Sequence, residues 1–154
     1  MTEYGAYIGE KMGLFDKFKK KTLDDYAEEG NSLFDQGKLD EAIDIWVQGL
    51  KTLPEPLNAQ SEAVWFQTSI GDTYFLQGKY DKAYEWIFEA KSNLSGDGYS
   101  NPFVMMRLGQ SALEIGKTEE AREYLLRAYM FEGEDIFSEE DEKYLNCIRD
   151  LINQ

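Results

Sequence analysis

The sequence lacks histidine altogether, has a single cysteine, Cys147, and has no apolar run long enough to cross a membrane. The absence of histidine excludes Ser-His-Asp and Cys-His catalysis, histidine-ligated zinc and a histidine general base. One cysteine excludes a disulfide within the chain and fits a reducing compartment. Without a membrane-length segment or a signal-peptide pattern, we expect a cytoplasmic protein. Because the carboxylates form no spaced acid/base pair, we also expect no enzymatic activity, no cofactor and no metal site.

Basic residues are scarce as well. The 154 residues include 16 Lys and Arg against 30 Asp and Glu, which leaves a net charge of −14. The exception is the stretch 11–23, where five lysines face one acid, whereas the chain from Asp24 onward holds 27 acids against 11 bases. Because phosphate is attracted by positive potential, nucleic acid is not an expected partner. The charge instead predicts a basic partner whose association slows as salt is added.

Three short stretches of the chain repeat one pattern: FDQGKLDEA at 34–42, FLQGKYDKA at 75–83 and LEIGKTEEA at 113–121. Their Gly-Lys glycines lie 41 and 38 residues apart, a period typical of stacked supersecondary units. Seven residues before each turn glycine lies another glycine. Five residues after the turn glycine lies an alanine, nine residues after it a large apolar residue, and twelve residues after it a small residue. In chain order these positions hold Gly30, Gly71 and Gly109; Ala42, Ala83 and Ala121; Trp46, Ile87 and Leu125; Gly49, Ala90 and Ala128.

These spacings predict three helical hairpins. Gly37, Gly78 and Gly116 are predicted to end the first helix of each hairpin in the left-handed conformation that glycine tolerates. Glycine inside a helix costs up to about 1 kcal/mol, so its recurrence in all three first helices indicates a close helix crossing. Asn101-Pro102 is predicted to open the third hairpin as cap and first helical residue.

The pattern resembles the tetratricopeptide repeat (TPR) over residues 23–133. Residues 70–90 carry the family's order of apolar-Gly, aromatic, Gly-x-aromatic and spaced alanines, and the first copy keeps the repeat-ending Pro54. The resemblance implies an all-α fold, a TPR-like right-handed α-solenoid of three helical hairpins plus a capping helix. The expected boundaries are an N-terminal segment at 1–21, a TPR-like domain at 22–154, repeats at about 23–56, 59–97 and 101–133, and a capping helix at 138–153.

The resemblance also implies a binding face. In TPR stacks the first helix of each pair lines a concave side on which family members bind peptides, and here that side mixes aromatic anchors with polar groups. We expect Trp65, Asp72 and Arg107 to be exposed there, whereas Phe75 and Met106 could instead pack between repeats. The full set of predicted partner-binding residues is Asn31, Phe34, Trp65, Ser69, Asp72, Phe75, Met106, Arg107 and Gln110.

One known activity of the family is not expected here. Some TPR domains hold the C-terminal carboxylate of a chaperone with two lysines, two asparagines and a further basic residue on this face. The matching positions hold Ala27, Asn31, Ser69, Phe103 and Arg107. Only Asn31 and Arg107 agree and both lysines are missing, so the resemblance does not extend to chaperone-tail binding.

The acidic run EGEDIFSEEDE at 132–142 has two possible roles. A calcium-binding EF-hand loop needs oxygen ligands around a glycine at its sharp turn, and no glycine falls at that place. The run is therefore predicted either to be a solvated loop leading into the capping helix or to receive a basic partner. In the second case the predicted acidic patch is Glu132, Glu134, Asp135, Glu139 and Glu140.

The basic stretch KMGLFDKFKKK at 11–21 leaves two interpretations open. Leu14, Phe15 and Phe18 among the lysines could form a short amphipathic helix that contacts an anionic membrane surface. Alternatively, the three apolar residues fold back on the first repeat and the lysines meet its acids.

Together these features predict a non-catalytic protein–protein interaction module that binds a basic protein or peptide. A narrower version is an immunity or inhibitor protein of a bacterial toxin, by analogy of size and charge. The alternative is a regulatory or assembly adaptor, with a peptide in the groove and the basic N-terminal segment touching a membrane or another subunit.

Overall fold

The computed structural model describes residues 20–96, 98 and 100–153. In this part of the chain six long helices form three consecutive hairpins, and no strand is present. The pairs are α1 (Leu23–Asp35) with α2 (Leu39–Leu50), α3 (Ala63–Leu76) with α4 (Tyr80–Lys91), and α5 (Pro102–Glu114) with α6 (Thr118–Glu132). The remaining elements are two 3-10 helices (Leu57–Ala59 and Gly133–Phe137), α7 (Glu142–Asn146) and α8 (Arg149–Ile152). The predicted all-α solenoid of three hairpins is confirmed.

Each hairpin turn depends on its glycine. The φ angles are 78° at Gly37, 75° at Gly78 and 84° at Gly116, a region that residues with a side chain rarely adopt. In the second turn the Lys79 N–H then donates to the Tyr74 carbonyl at 2.9 Å, which closes the end of α3. The predicted left-handed helix ends are confirmed.

The glycine inside each first helix lies directly under a large side chain of the second helix. A Cβ placed there would meet that side chain at 2.0 Å (Gly30 to Trp46), 2.5 Å (Gly71 to Ile87) or 2.7 Å (Gly109 to Leu125). These distances are shorter than any ordinary carbon contact, so the two helices can approach this closely only over glycine. Two of the recurring sequence positions are therefore the two sides of one contact.

The buried apolar side chains form two clusters along the stack. The first lies between α1, α2 and α3 and includes Trp46, Phe66 and Ile70. The second lies around α4, α5 and α6 and includes Leu125 together with Ile148 from the C-terminal segment. The C-terminal segment thus covers the apolar end of the stack, as expected of a cap.

The cap is not the single helix predicted at 138–153. It consists of α7 and α8, and α7 is capped by Asp141, whose side chain accepts from the Lys143 N–H at 2.9 Å. The break falls at Cys147, whose carbonyl accepts a hydrogen bond of 2.6 Å from Arg122 Nη1. Because that carbonyl is engaged by α6, the Leu151 N–H turns to the Ile148 carbonyl instead and the chain starts a new short helix.

The described part of the chain offers no helix that combines the length and apolar character of a bilayer span. The predicted membrane-contact residues Leu14, Phe15 and Phe18 lie outside the described residues. Of the neighbouring lysines, Lys20 and Lys21 are described. The Lys21 Nζ donates to Glu29 at 2.7 Å and lies 5.2 Å from the Tyr26 ring centroid.

Candidate protein-binding surface

The predicted binding surface is the one presented by α1, α3 and α5, here called the first-helix face. The structure does not leave all nine predicted residues open on it. Asn31 and Trp65 are exposed, and Phe34, Ser69, Asp72 and Phe75 are half-buried. The buried members are Met106, Arg107 and Gln110.

The expectations for Arg107 and Gln110 need correction, and Met106 follows the second of its two alternatives. Met106 is 1% exposed and belongs to the core, and Gln110 is fully buried. Arg107, expected to be exposed, is 9% exposed. All three lie on α5, which the C-terminal segment covers, so they do not line the open surface.

Arg107 is buried because polar and aromatic side chains surround it. Its Nε donates to Asp72 Oδ1 at 2.7 Å, and its Nη1 donates to the side-chain oxygens of Gln110 and Glu140, both at 2.8 Å. The guanidinium also lies 4.5 Å from the Phe75 ring centroid. This arrangement, here called the Arg107 bracket, ties α3, α5 and the C-terminal segment together and neutralises the one cation on the first-helix face among the described residues.

A second group of contacts holds the C-terminal segment further along α5. The Tyr144 hydroxyl donates to Glu114 Oε1 at 2.8 Å, and Lys143 pairs with the same oxygen. Burial alone would raise the pKa of Glu114, but the hydrogen bonds from Lys143 and Tyr144 lower it below its usual value. Burial, and then the bond to Glu114, raise the pKa of the Tyr144 hydroxyl, which stays protonated. Together with the Arg107 bracket, these contacts cover the first-helix face from Arg107 to the C-terminal end of α5.

Towards the N-terminal ends of α3 and α5 the first-helix face remains open. There it forms a cleft of about 390 Å³ between the two helices. Trp65 is 44% exposed there, and its ring packs edge-on against Trp46 at 5.8 Å and Phe66 at 5.2 Å between centroids. Its indole is therefore exposed yet held in place. The cleft is lined by Ser61, Val64, Trp65, Thr68, Ser69, Asp72, Asn101 and Phe103.

Phe103 separates this cleft from a second one. It follows the predicted helix start, where the Asn101 side chain accepts from the Phe103 N–H at 2.9 Å and Pro102 is the first helical residue. Phe103 is 40% exposed. The second cleft, of about 430 Å³, is lined by Asn101, Pro102, Phe103, Glu132, Asp135 and Ile136.

The second cleft divides the predicted acidic patch. Glu132 and Asp135 line it, whereas Glu134 and Glu139 are exposed elsewhere and Glu140 is taken by the Arg107 bracket. Across the described ranges, Glu132 and Asp135 form no ion pair. Two regions that the sequence presents as separate, the binding face and the acidic run, thus meet at Phe103. The repeat pattern places Phe103 on the first-helix face at the same position as Trp65, but it is not one of the nine predicted partner-binding residues.

A third cleft, of about 460 Å³, lies on the opposite side of the second hairpin. It is lined by Tyr84, Glu85, Trp86, Phe88 and Glu89 of α4. Its Tyr84 hydroxyl already donates to Glu120, and Lys91 lies 3.8 Å from the Phe88 ring centroid. No group of three acidic or cysteine side chains in the described residues is arranged to hold a metal ion.

Comparison with known proteins identifies the type of repeat. The model of the tetratricopeptide repeat family matches residues 103–129. A comparison with curated proteins found no match.

Similar solved structures cover most of the chain. The first TPR domain of Spaghetti (RPAP3), bound to the HSP90 peptide SRMEEVD, is 24% identical, with a TM-score of 0.62 over 88% of this chain and 94% of that one. The first TPR domain of human RPAP3 is 23% identical, with a TM-score of 0.59 over 86% and 91%. The C-terminal TPR-containing domain of a Plasmodium falciparum FK506-binding protein is 19% identical, with a TM-score of 0.63 over 86% and 87%. At these identities the likeness concerns the fold.

Proposed function

We propose that this chain, which carries a tetratricopeptide repeat and has the α-solenoid fold of that family, is a non-catalytic module that binds a basic protein or peptide. The observation that carries the proposal is the charge of the open first-helix face. Its exposed side chains are aromatic, polar or acidic, and its one cation within the described ranges is buried in the Arg107 bracket. A ligand with positive charge would therefore be attracted and bind more tightly, whereas an acidic ligand would be repelled and bind more weakly.

The similar TPR domain of Spaghetti (RPAP3), solved with a bound peptide, differs from this chain in the charge of the ligand that we expect. That protein holds SRMEEVD, a peptide with three acidic residues and one basic residue. In this chain Arg107 already has two carboxylate partners, Asp72 and Glu140. An acidic peptide would have to displace one of them, so we expect this chain to select the opposite charge.

The overall charge supports the same proposal. With a net charge of −14, the protein attracts basic partners over a distance of roughly one Debye length, about 8–10 Å at physiological salt. The same charge repels nucleic acid, which we do not expect as a partner. We expect the protein to work in the cytoplasm, where its free Cys147 would stay reduced.

A narrower form of the proposal is a stoichiometric inhibitor, such as an immunity protein of a bacterial toxin. Its support is the small size and the acidic charge of the chain. The adaptor alternative needs the basic N-terminal segment for contact with a membrane or subunit. Replacing Lys17, Lys19 and Lys20 by Glu in the full chain distinguishes them, because an inhibitor keeps its affinity for the partner whereas the adaptor loses its second attachment.

The test of the proposed function is affinity capture from source cells at low salt, followed by elution with increasing salt and identification of the eluted proteins. We expect a basic protein that elutes as salt rises, because exposed charge pairs are screened. The Glu85→Lys/Glu89→Lys variant, changed on the opposite side at α4, should capture the same protein. Capture of acidic proteins only, or of none, would refute the proposal.

A further inference from the structure

We propose that the two clefts that meet at Phe103 form one trough that binds an extended peptide segment bearing an aromatic or long aliphatic side chain and, about five to six residues away, Lys or Arg. This inference rests on the proposed function and adds where the basic partner binds and which side chains it uses. The trough runs from Trp65 on α3, across Phe103 at the start of α5, to Glu132 at the end of α6 and Asp135 just after it. It therefore leaves the first-helix face and crosses the edge of the solenoid.

The two clefts adjoin, because Asn101 and Phe103 line both of them. The Phe103 ring is held in place on its inner side by the Arg107 guanidinium, which lies 5.2 Å from the ring centroid. Its outer surface stays open, at 40% exposure. A partner segment that crosses the exposed Phe103 ring would thus contact both clefts.

The Trp65 end of the trough suits an apolar anchor. The indole is held edge-on by Trp46 and Phe66, so little conformational entropy is lost when a ligand covers it. Asp72, the carboxylate of this cleft, is already neutralised by Arg107. Large, fixed aromatic surfaces of this kind are typical of the side chains that dominate binding energy.

The other end of the trough suits a cation. Glu132 and Asp135 line it with their carboxylates, and neither forms an ion pair among residues 20–96, 98 and 100–153. Ile136 supplies an apolar wall that can cover the aliphatic stem of a lysine or arginine. Negative charge therefore acts at one end of the trough only, which sets the direction of the bound segment.

The spacing between the two binding features follows from helix packing. Neighbouring packed helices lie about 8–10 Å apart, and the second cleft extends the path beyond α5 by a similar step. An extended chain advances about 3.3 Å per residue. An anchor at Trp65 and a cation at Glu132 or Asp135 are therefore about five to six residues apart. The Arg107 bracket blocks the path down the first-helix face, so the segment has to leave over the edge.

The test is a selection of random twelve-residue peptides by phage display on the full chain, followed by titration of the selected peptides by fluorescence anisotropy. We expect enriched peptides to carry an apolar side chain and a Lys or Arg at about this spacing. The Phe103→Ala variant should weaken their binding at least tenfold. Glu132→Lys/Asp135→Lys, a surface change that keeps the fold intact by circular dichroism, should weaken it similarly and favour peptides with Asp or Glu at the basic position.

The matched control is Glu85→Lys/Glu89→Lys, with the same charge change on α4, which should leave the affinity unaltered. Selected peptides that bind all variants equally, or that carry no cation, would overturn the trough while leaving the proposed function standing. If a synthetic peptide of residues 11–21 displaces the selected peptides, the trough would be occupied by the chain's own basic segment. That result would overturn the proposal that an external partner binds there. Failure of both this selection and the affinity capture would overturn the proposed function itself.

Discussion

The contact between Gly30 and Trp46 leads to a stability prediction with a defined sign. In the Gly30→Ala variant the new Cβ would lie 2.0 Å from Trp46 Nε1 and 2.5 Å from its Cδ1, whereas atoms in favourable contact lie about 3.5–4.0 Å apart. The indole has little room to yield, because it is 2% exposed and packs against Trp65 and Phe34. We therefore expect α1 and α2 to be forced apart.

Two terms of opposite sign determine the magnitude. Alanine is favoured over glycine inside a helix by about 1 kcal/mol. Overpacking a filled core costs about 1–3 kcal/mol, and the rigid indole places this site at the upper end of that range. We expect the Gly30→Ala variant to lose about 2 kcal/mol of unfolding free energy, measured by urea denaturation with far-UV circular dichroism.

A double-mutant cycle tests the reason for the loss. In a Trp46→Leu background the smaller side chain relieves part of the overlap, so Gly30→Ala should cost less than about 1 kcal/mol there. The control, Gly37→Ala, has φ 78° and no atom within 4 Å of its Cβ, so its cost of about 1 kcal/mol comes from the backbone alone and should be equal in both backgrounds. An unchanged cost of Gly30→Ala in the Trp46→Leu background would refute close packing as the reason for this glycine.

Three further predictions concern the C-terminal segment. Arg107→Gln leaves two carboxylates, each 23% exposed, without their cation, and should lower the unfolding free energy by about 2 kcal/mol. The control Glu123→Gln, which removes the exposed i,i+4 ion pair with Arg127, should cost about 0.3–0.5 kcal/mol, and equal losses in urea denaturation would contradict the Arg107 bracket. Because the folded state holds the pKa of Glu114 below its usual 4.5, its contribution is complete above that pH and is lost as pH falls through the lowered pKa. Unfolding free energy should therefore fall more steeply in acid for the wild type than for Glu114→Gln, and identical pH curves would count against this. Burial raises the pKa of the Cys147 thiol, so iodoacetamide should modify it more slowly in the folded protein than in urea, and equal rates would show that the thiol is accessible.

The helical hairpins could be predicted because their determinants are local and repeat. Gly37, Gly78 and Gly116 need a left-handed backbone conformation within one turn, and that requirement is visible in the residue type. The contact of Gly71 with Ile87 joins residues of the same hairpin at a spacing that the other copies reproduce. Three copies of one local pattern therefore predict three copies of one contact.

Exposure on the first-helix face could not be predicted in the same way. Asn31, Asp72 and Gln110 occupy one position of the repeat, directly after the helical glycine, yet they are exposed, half-buried and fully buried in that order. The difference arises outside the repeat, because the C-terminal segment packs on α5 and, through Tyr144 against Phe75, on the adjoining part of α3. A repeat pattern assigns equivalent positions the same environment and cannot express what a later part of the chain does to one copy.

By itself the sequence determined the three hairpins, the acidic charge and the absence of histidine chemistry, since these follow from residue type and spacing. Only the tertiary structure decided that Arg107 is closed off by Glu140, 33 residues later, and that Phe103 lines one cleft with the acidic Glu132 and Asp135. Such contacts depend on how separate elements are brought together, and any of several acids could have satisfied Arg107. The physical reason is that a helix turn is specified by neighbours along the chain, whereas an open or closed binding face is specified by neighbours in space.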